Sequence, residues 1–292
     1  KENTLLTKQT IIEKKFLPYF KDKKLCDITP KDVIYWQNEM MKQTSKKDKE
    51  FSPTYLKTVH NQLSAIFNYA VRYYGLKDNP ARIAGCMGKE TNGEMQFWTK
   101  EEYMKFSKAM MKKDGVFQAF EMLYWCGIRL GEMLALTPSD FDFEKKTVRI
   151  NKSYQRLHGK DIITDPKTAK SNRVVQMPDF LADEMQDYIS RFYTIEPDER
   201  IFILTKSFLH HEMDRGCKET GVKRIRIHDL RHSHVSLLIE MGFTAVDIAN
   251  RVGHESVKIT YRYAHMFPSK DEAIAKKLTD IRGGAFDEQK ES

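Results

Sequence analysis

Hydrophobic side chains in the first third of the chain fall at helical spacing. In SPTYLKTVHNQLSAIFNYAVRYYG, the residues Leu56, Val59, Leu63, Ile66, Phe67, Ala70 and Tyr74 form one stripe, as a helix of 3.6-residue period requires. Ser52 and Pro53 give a start signal and Gly75 a stop. In ITPKDVIYWQNEM, Thr29 is placed to cap a helix whose first residue is Pro30. These patterns predict a helical domain over residues 1–85.

Residues 85–97 break the periodicity with glycines and polar side chains, which predicts a linker over 86–97. Thr99-Lys100-Glu101-Glu102 then reads as a capping box that opens a second domain. Helical patterns continue to about Leu136. Strand-like runs follow around 147–156 and 173–177, with a hairpin turning at Gly159-Lys160. Helices resume at Pro178. Ser269 is placed to cap a last helix, with Asp271 and Glu272 in its first turn and Gly283-Gly284 beyond its end. The whole reads as mainly α with a small β-sheet, an α+β chain with a second domain over 98–268 and a tail over 269–292.

Composition narrows the partner. Lys+Arg 49 against Asp+Glu 41 gives a formal charge of +8 and a pI near 9.1, which favours a polyanion. No apolar run approaches the roughly 18 residues of a membrane span. The chain opens on Lys1 and reads as a fragment whose true N-terminus is not seen. Cys26, Cys86, Cys126 and Cys217 are scattered without C-x-x-C spacing, and read as reduced, mostly buried thiols. No H-E-x-x-H occurs, and His210-His211 lacks partners at ligand spacing, so no metal is expected.

The polar face of the 53–74 helix changes the picture further. It carries Thr54, Lys57, Thr58, Asn61, Ser64, Asn68 and Arg72, and no Asp or Glu lies between Pro53 and Tyr74. A solvated helix in a chain this rich in charge ordinarily mixes signs. A face without carboxylates suits a major groove, where Lys57 and Arg72 neutralise phosphates and Asn61, Asn68 and Arg72 reach base edges.

The candidate chemistry lies between Gly127 and His265. Arg129 sits in CGIRLGE, His228 and Arg231 form H-x-x-R in IHDLRHSH, His254 sits in VGHES, and Tyr263 follows in TYRYAH. Phosphodiester cleavage develops charge on the nonbridging oxygens and on the leaving 5′ oxygen. Fixed cations answer the first and a proton donor the second. Arginine suits the first task because its planar fork binds two phosphate oxygens and stays charged. For Arg129 a salt bridge to Glu132 is the rival reading. His228 and Arg231, three apart, share a helix face. TAVDIANRVGHESVKITYRYAH also reads as a helix-turn-helix regulator, with a first helix to Val252 and a turn at Gly253. Its second helix, however, would present Tyr263 instead of base-reading side chains.

This ordered set resembles the tyrosine recombinases, or phage-integrase family. GIRLGE, RIRIHDLRHSHVSLL and RVGHESVKITYRYAHMFP are closest in wording to integrases of conjugative transposons. The resemblance implies a helical core-binding domain and a catalytic domain that together form a C-shaped clamp on DNA. It implies Arg129, His228, Arg231 and His254 as ligands of the scissile phosphate and Tyr263 as nucleophile. Tyr261 is expected to pack on another helix face, and His232 and His234 to be structural. The family supplies a lysine on a β-turn as acid for the leaving oxygen. Lys167 in Pro-Lys-Thr fits that turn better, and Lys170 stays open.

The implied activity is site-specific recombination through a 3′-phosphotyrosine, for integration and excision of a mobile element, without metal, ATP or other cofactor. The implied partners are double-stranded DNA carrying transposon ends or attachment core sites and further copies of the chain, as dimer or tetramer on DNA. Accessory DNA-bending or excision factors are further candidates. The implied setting is the bacterial cytoplasm at the nucleoid, with the tail exchanged between protomers. The competing readings are a type IB topoisomerase, a non-catalytic DNA-binding regulator and a structural basic protein.

Overall fold

The computed structural model describes residues 2–44, 48–89, 95–166 and 169–266, with positions 275, 278 and 279. The chain divides into two compact units, Lys1–Glu94 and Met95–Ser292.

The first unit is built from helices α1 (Glu2–Ile11), α2 (Leu17–Phe20), α3 (Pro30–Lys42), α4 (Pro53–Tyr74) and α5 (Pro80–Ala84), with a π-helical stretch Ile12–Phe16 between the first two. The caps are those the sequence offers. Thr29 and Asp32 close a capping box on α3. Ser52 accepts from the Tyr55 amide at the start of α4, and Gly75 ends that helix at φ 69, a conformation that costs only glycine nothing. Val33, Trp36 and Met40 of α3 pack on Val59, Leu63 and Phe67 of α4, all buried. Trp36 brings its polar edge inside and donates to the Lys15 carbonyl at 2.8 Å.

One expectation fails in this unit. Tyr74 is 77% exposed, because the stripe outruns the core in the last turn. Its ring instead joins a surface cluster with Tyr69 and Tyr73. The buried place that the stripe left open is taken by His60, which lies 3.2 Å from the Gln37 amide.

The second unit begins with α6 (Lys100–Met110), α7 (Val116–Trp125) and α8 (Leu130–Met133). Strands β1 (Phe141–Asp142), β2 (Thr147–Ile150), β3 (Ser153–Leu157), β4 (Lys160–Thr164) and β5 (Arg173–Gln176) follow, then α9 (Asp179–Ser190), α10 (Lys206–Thr220), α11 (Asp229–Glu240), α12 (Ala245–Val252) and α13 (Val257–Thr260). The described chain continues through a 3-10 turn, Tyr261–Met266. The Thr99–Glu102 capping box opens α6 as the sequence predicts. The core packs Trp98, Phe106, Phe120, Leu123, Phe202, Met213 and Leu230 together.

The run 147–156 is two strands rather than one. β2 pairs with β1 and β5 in an antiparallel sheet, while β3 and β4 form a separate hairpin. The break falls at Asn151-Lys152, where the Lys152 ammonium turns inward to the buried Asp140 carboxylate at 2.5 Å. All four cysteines are free, but Cys26 and Cys86 are exposed and only Cys126 and Cys217 are buried. Cys26 lies in a short 3-10 helix, Leu25–Asp27, none of whose residues is buried. Among the described residues no helix is long and apolar enough to cross a membrane. The tail over 269–292 lies outside the described residues apart from positions 275, 278 and 279, as does part of the linker over 86–97.

Candidate active site

Three turns of the second unit bring the predicted residues together. After α7 the chain reverses at Gly127, whose φ of 61 and whose contact with the His234 ring leave no room for a side chain. That turn places Arg129 at the extended N-cap of α8. The start of α11 places His228 and Arg231. Gly253 closes α12 at φ 69 and delivers His254, whose amide donates to the Ala249 carbonyl at 2.9 Å. A Cβ on Gly253 would stand 2.9 Å from Arg173 and 3.0 Å from the Lys170 carbonyl.

Arg129 is fixed by one carboxylate. Its Nη1 donates to Glu132 Oε1 at 2.7 Å, its amide to Oε2 at 3.0 Å, and its Nη2 to the Gly253 carbonyl at 3.4 Å. Glu132 also accepts from Arg173 Nη2 at 2.9 Å. The salt bridge that competed with a phosphate role for Arg129 is therefore present, yet its side chain stays 39% exposed. Burial alone would raise the Glu132 pKa; Arg173, then Arg129, outweigh it and hold the carboxyl below its ordinary value.

Arg231 is the interior cation, 3% exposed. Its Nη1 donates to the Gly127 carbonyl at 2.8 Å, and its Nη2 is buried without a hydrogen-bond partner. Burial first, then the guanidiniums of Arg129 and Arg173, lower its pKa to about 9, so it is still a cation at neutral pH. A buried charged donor left unpaired costs on the order of 1–3 kcal/mol or more, so this geometry is one that an anion would complete.

The histidines are neutral around it. His254 is buried, with Nδ1 2.8 Å from Thr260 Oγ1. Burial, then Arg231 and Arg129, lower its pKa to about 3. His228 is exposed, and its pKa is lowered by desolvation, then by Arg231. Tyr263 is 3% exposed and packs with Val235, Ile239, Ile248 and Val252. Burial raises its phenol to about 12, with Arg231 pulling the other way.

The structure thus gathers Arg129, His228, Arg231, His254 and Tyr263 into one electrostatically coupled group. Lys167 lies outside the described residues. Lys170 donates from Nζ to the Glu255 carbonyl at 3.1 Å, beside His254. On α4, Asn61, Asn68 and Arg72 are exposed and Lys57 is half-buried. The Asn68 amide oxygen accepts from Asn79 at 2.8 Å. The expectation that Tyr261 packs is not met. Tyr261 is 58% exposed and Tyr263 buried, because the 3-10 turn rotates residues two apart by about two-thirds of a turn.

Two residues that the sequence reading set aside or missed belong here. Arg173 spans from Glu132 to the Arg251 carbonyl at 3.1 Å. Strand alternation carries the signal, since Arg173 shares the face of buried Val175. His232 was expected to be structural, yet its Nδ1 is hydrogen-bonded to Tyr263 Oη. Its spacing from His228 and Asp229, four and three residues, places all three on one helix face. His234 is buried, with Nε2 accepting from Arg251 at 3.1 Å.

Comparison with known proteins gives a consistent family. The model of the phage integrase family matches residues 96–270, and that of the phage integrase N-terminal SAM-like domain matches residues 1–41. The ICEBs1 integrase of Bacillus subtilis strain 168 is 30% identical over 296 aligned residues, covering 96% of this chain and 78% of the relative. A solved structure of the Tn1549 transposon integrase in complex with transposon right end DNA superposes with a TM-score of 0.74 at 18% identity, covering 96% of this chain and 94% of that one. A lambda integrase dimer bound to a COC′ core site gives a TM-score of 0.64 at 18% identity, covering 90% of this chain and 88% of that one.

Proposed function

The chain belongs to the phage integrase family and is a tyrosine recombinase of the conjugative-transposon or phage integrase type, and we propose that Arg129, His228, Arg231, His254 and Tyr263 are its catalytic residues. The observation that carries this reading is the unpaired Nη2 of the buried Arg231, in electrostatic contact with Arg129 and Tyr263. A scissile phosphate seated there would accept from Arg231 Nη2 and from the outer side of Arg129. Neutral His254 would donate from Nε2 while Thr260 occupies Nδ1.

Attack by Tyr263 on the phosphorus would release a 5′ hydroxyl and keep the bond energy in a 3′-phosphotyrosine. The same link then yields to a 5′ hydroxyl of the partner duplex, so the reaction needs no external energy. The acid for the leaving oxygen is a lysine between β4 and β5, Lys167 or Lys170. The polar face of α4, with Lys57, Asn61, Asn68 and Arg72, would enter a major groove. We place the reaction on double-stranded transposon ends or core sites in the bacterial cytoplasm, in dimers or tetramers whose tails beyond Pro268 exchange between protomers. Accessory DNA-bending factors would set its direction.

The test is a pool of nicked duplexes of random sequence, incubated with the chain in EDTA and resolved in SDS. A covalent complex whose phosphopeptide maps to Tyr263 is the expected result, and its recovered DNA gives the preferred site. Mapping to Tyr261, or a requirement for added metal, would overturn the assignment.

A further inference from the structure

The hydrogen bond between His232 and Tyr263 has no part in the phosphate-binding set. Behind it, on the other side of the imidazole, His232 Nε2 faces Asp229 Oδ1 at 3.8 Å. Asp229 is 1% exposed and is held in place by Arg226, whose amide and guanidinium donate to it at 2.8 and 2.9 Å. Phenol, imidazole and buried carboxylate therefore stand in line.

We propose that His232 is the base that takes the phenolic proton of Tyr263, with Asp229 stabilising the imidazolium that results. The proposal rests on Tyr263 being the nucleophile. In the forward step the Oη–H bond breaks and its proton moves to His232 Nδ1. Oη bonds to the scissile phosphorus, the bond from phosphorus to O5′ breaks, and its electron pair leaves on O5′, which takes a proton from the lysine acid, Lys167 or Lys170. On religation the imidazolium returns its proton to Oη as the tyrosine departs.

Three features favour His232 over its neighbours. Nδ1 already touches the reacting atom, whereas His228 meets His232 edge to face, with ring centres 5.3 Å apart. Nε2 is the nitrogen turned to a buried carboxylate, 3.8 Å away, which would stabilise positive charge on the ring. Burial, then His228, lowers the His232 pKa to about 4, partly offset by Asp229 and further lowered by Arg226 and Arg231. The ring is thus a free base at neutral pH, facing a phenol that burial makes harder to ionise.

The experiment measures the rate of covalent complex formation on a nicked duplex recovered from the random pool. His232→Ala should slow it about 100-fold, the scale of a lost general base, with DNA affinity changed less than about twofold. Added imidazole, or 2,3,5-trifluorotyrosine replacing Tyr263 in the same variant, should restore at least about tenfold. The first supplies a base and the second needs none. His232→Asn, which can keep an acceptor near the phenol but cannot take its proton at neutral pH, should be as slow as His232→Ala. Full activity in either variant, or a loss that neither imidazole nor the fluorinated phenol relieves, would overturn the role of His232. A covalent complex formed by Tyr263→Phe would overturn the nucleophile assignment instead, so the two failures are told apart.

Discussion

Arg231 and Gly127 share one hydrogen bond of 2.8 Å, and it is the only bond the buried guanidinium makes among the described residues. The other end of the fork stays unpaired near Arg129 and Arg173, both of like charge. This places binding strength where the free protein is least comfortable. Arg231→Met should therefore abolish covalent complex formation while raising the stability of the DNA-free protein by about 1 kcal/mol. Replacing a poorly compensated buried charge with an apolar side chain of similar volume is often neutral or stabilising. A thermal melt beside the SDS assay checks both halves; a large drop in melting temperature would show that Arg231 holds the fold.

Glu132 is the counterweight to these cations. It bonds Arg129 at 2.7 Å and Arg173 at 2.9 Å from a buried position. Glu132→Gln should cost about 3–5 kcal/mol, because removing one partner leaves buried charge uncompensated. Arg129→Lys should be milder for the fold and severe for cleavage, since a point charge cannot hold Glu132 and a phosphate together as the fork does. Urea unfolding curves and cleavage rates for the two variants should rank them in opposite orders.

Acid should destabilise the second unit early. His232, His234 and His254 have folded pKa values lowered to about 4, 3 and 3, against about 6.5 when unfolded. Above pH 6.5 they are neutral in both states and contribute no pH dependence. As pH falls below 6.5 the unfolded chain binds protons that the folded chain refuses, and stability is lost progressively until the folded pKa values are reached. Glu132, with its lowered pKa, adds a further loss below about pH 4.5. The slope of stability near pH 5 should reach about three protons from these three rings, ~4 kcal/mol per pH unit, with His228, whose pKa is also lowered, adding to it. His234→Asn should reduce it by about one proton. A flat profile from pH 7 to 5 would contradict the burial of these rings.

The sequence shows most clearly what depends on neighbours along the chain. Ser52-Pro53 and Gly75 mark the ends of α4, Thr99 with Glu102 marks the start of α6, and Gly253 ends α12, because caps act within one turn. The order Arg129, His228, Arg231, His254, Tyr263 was legible because each lies in a short motif of the family that the chain resembles. Contacts made across the fold were not. Arg173 reaches Glu132 from a strand 41 residues away, and His232 meets Tyr263 across 31. Nor could spacing alone decide which of Tyr261 and Tyr263 faces inward, since a 3-10 turn and an α-helix rotate the pair differently.

The last prediction concerns the polar face of α4, where the four candidate residues separate by their surroundings. The oxygen of Asn68 accepts from Asn79, whose own side chain caps α5 through the amides of Ala81 and Arg82. Asn68→Ala should therefore lower the stability of the first unit by about 1 kcal/mol, and any loss of DNA binding must be corrected for it. Asn61 is exposed, so Asn61→Ala should leave stability within about 0.5 kcal/mol. If Asn61 reads a base edge, its loss should relax preference at one position by about 1–3 kcal/mol. Lys57→Ala should instead weaken binding to all sequences and reduce the salt slope by about one. Arg72 lies over the Tyr73 ring at 5.3 Å, and Arg72→Ala should act as Lys57→Ala does. Binding isotherms across a salt series, on duplexes recovered from the random pool and on scrambled controls, separate these outcomes. Unchanged affinity and preference in all four variants would leave the acid-free face as solvated surface, and the groove-facing role would have to pass to another element.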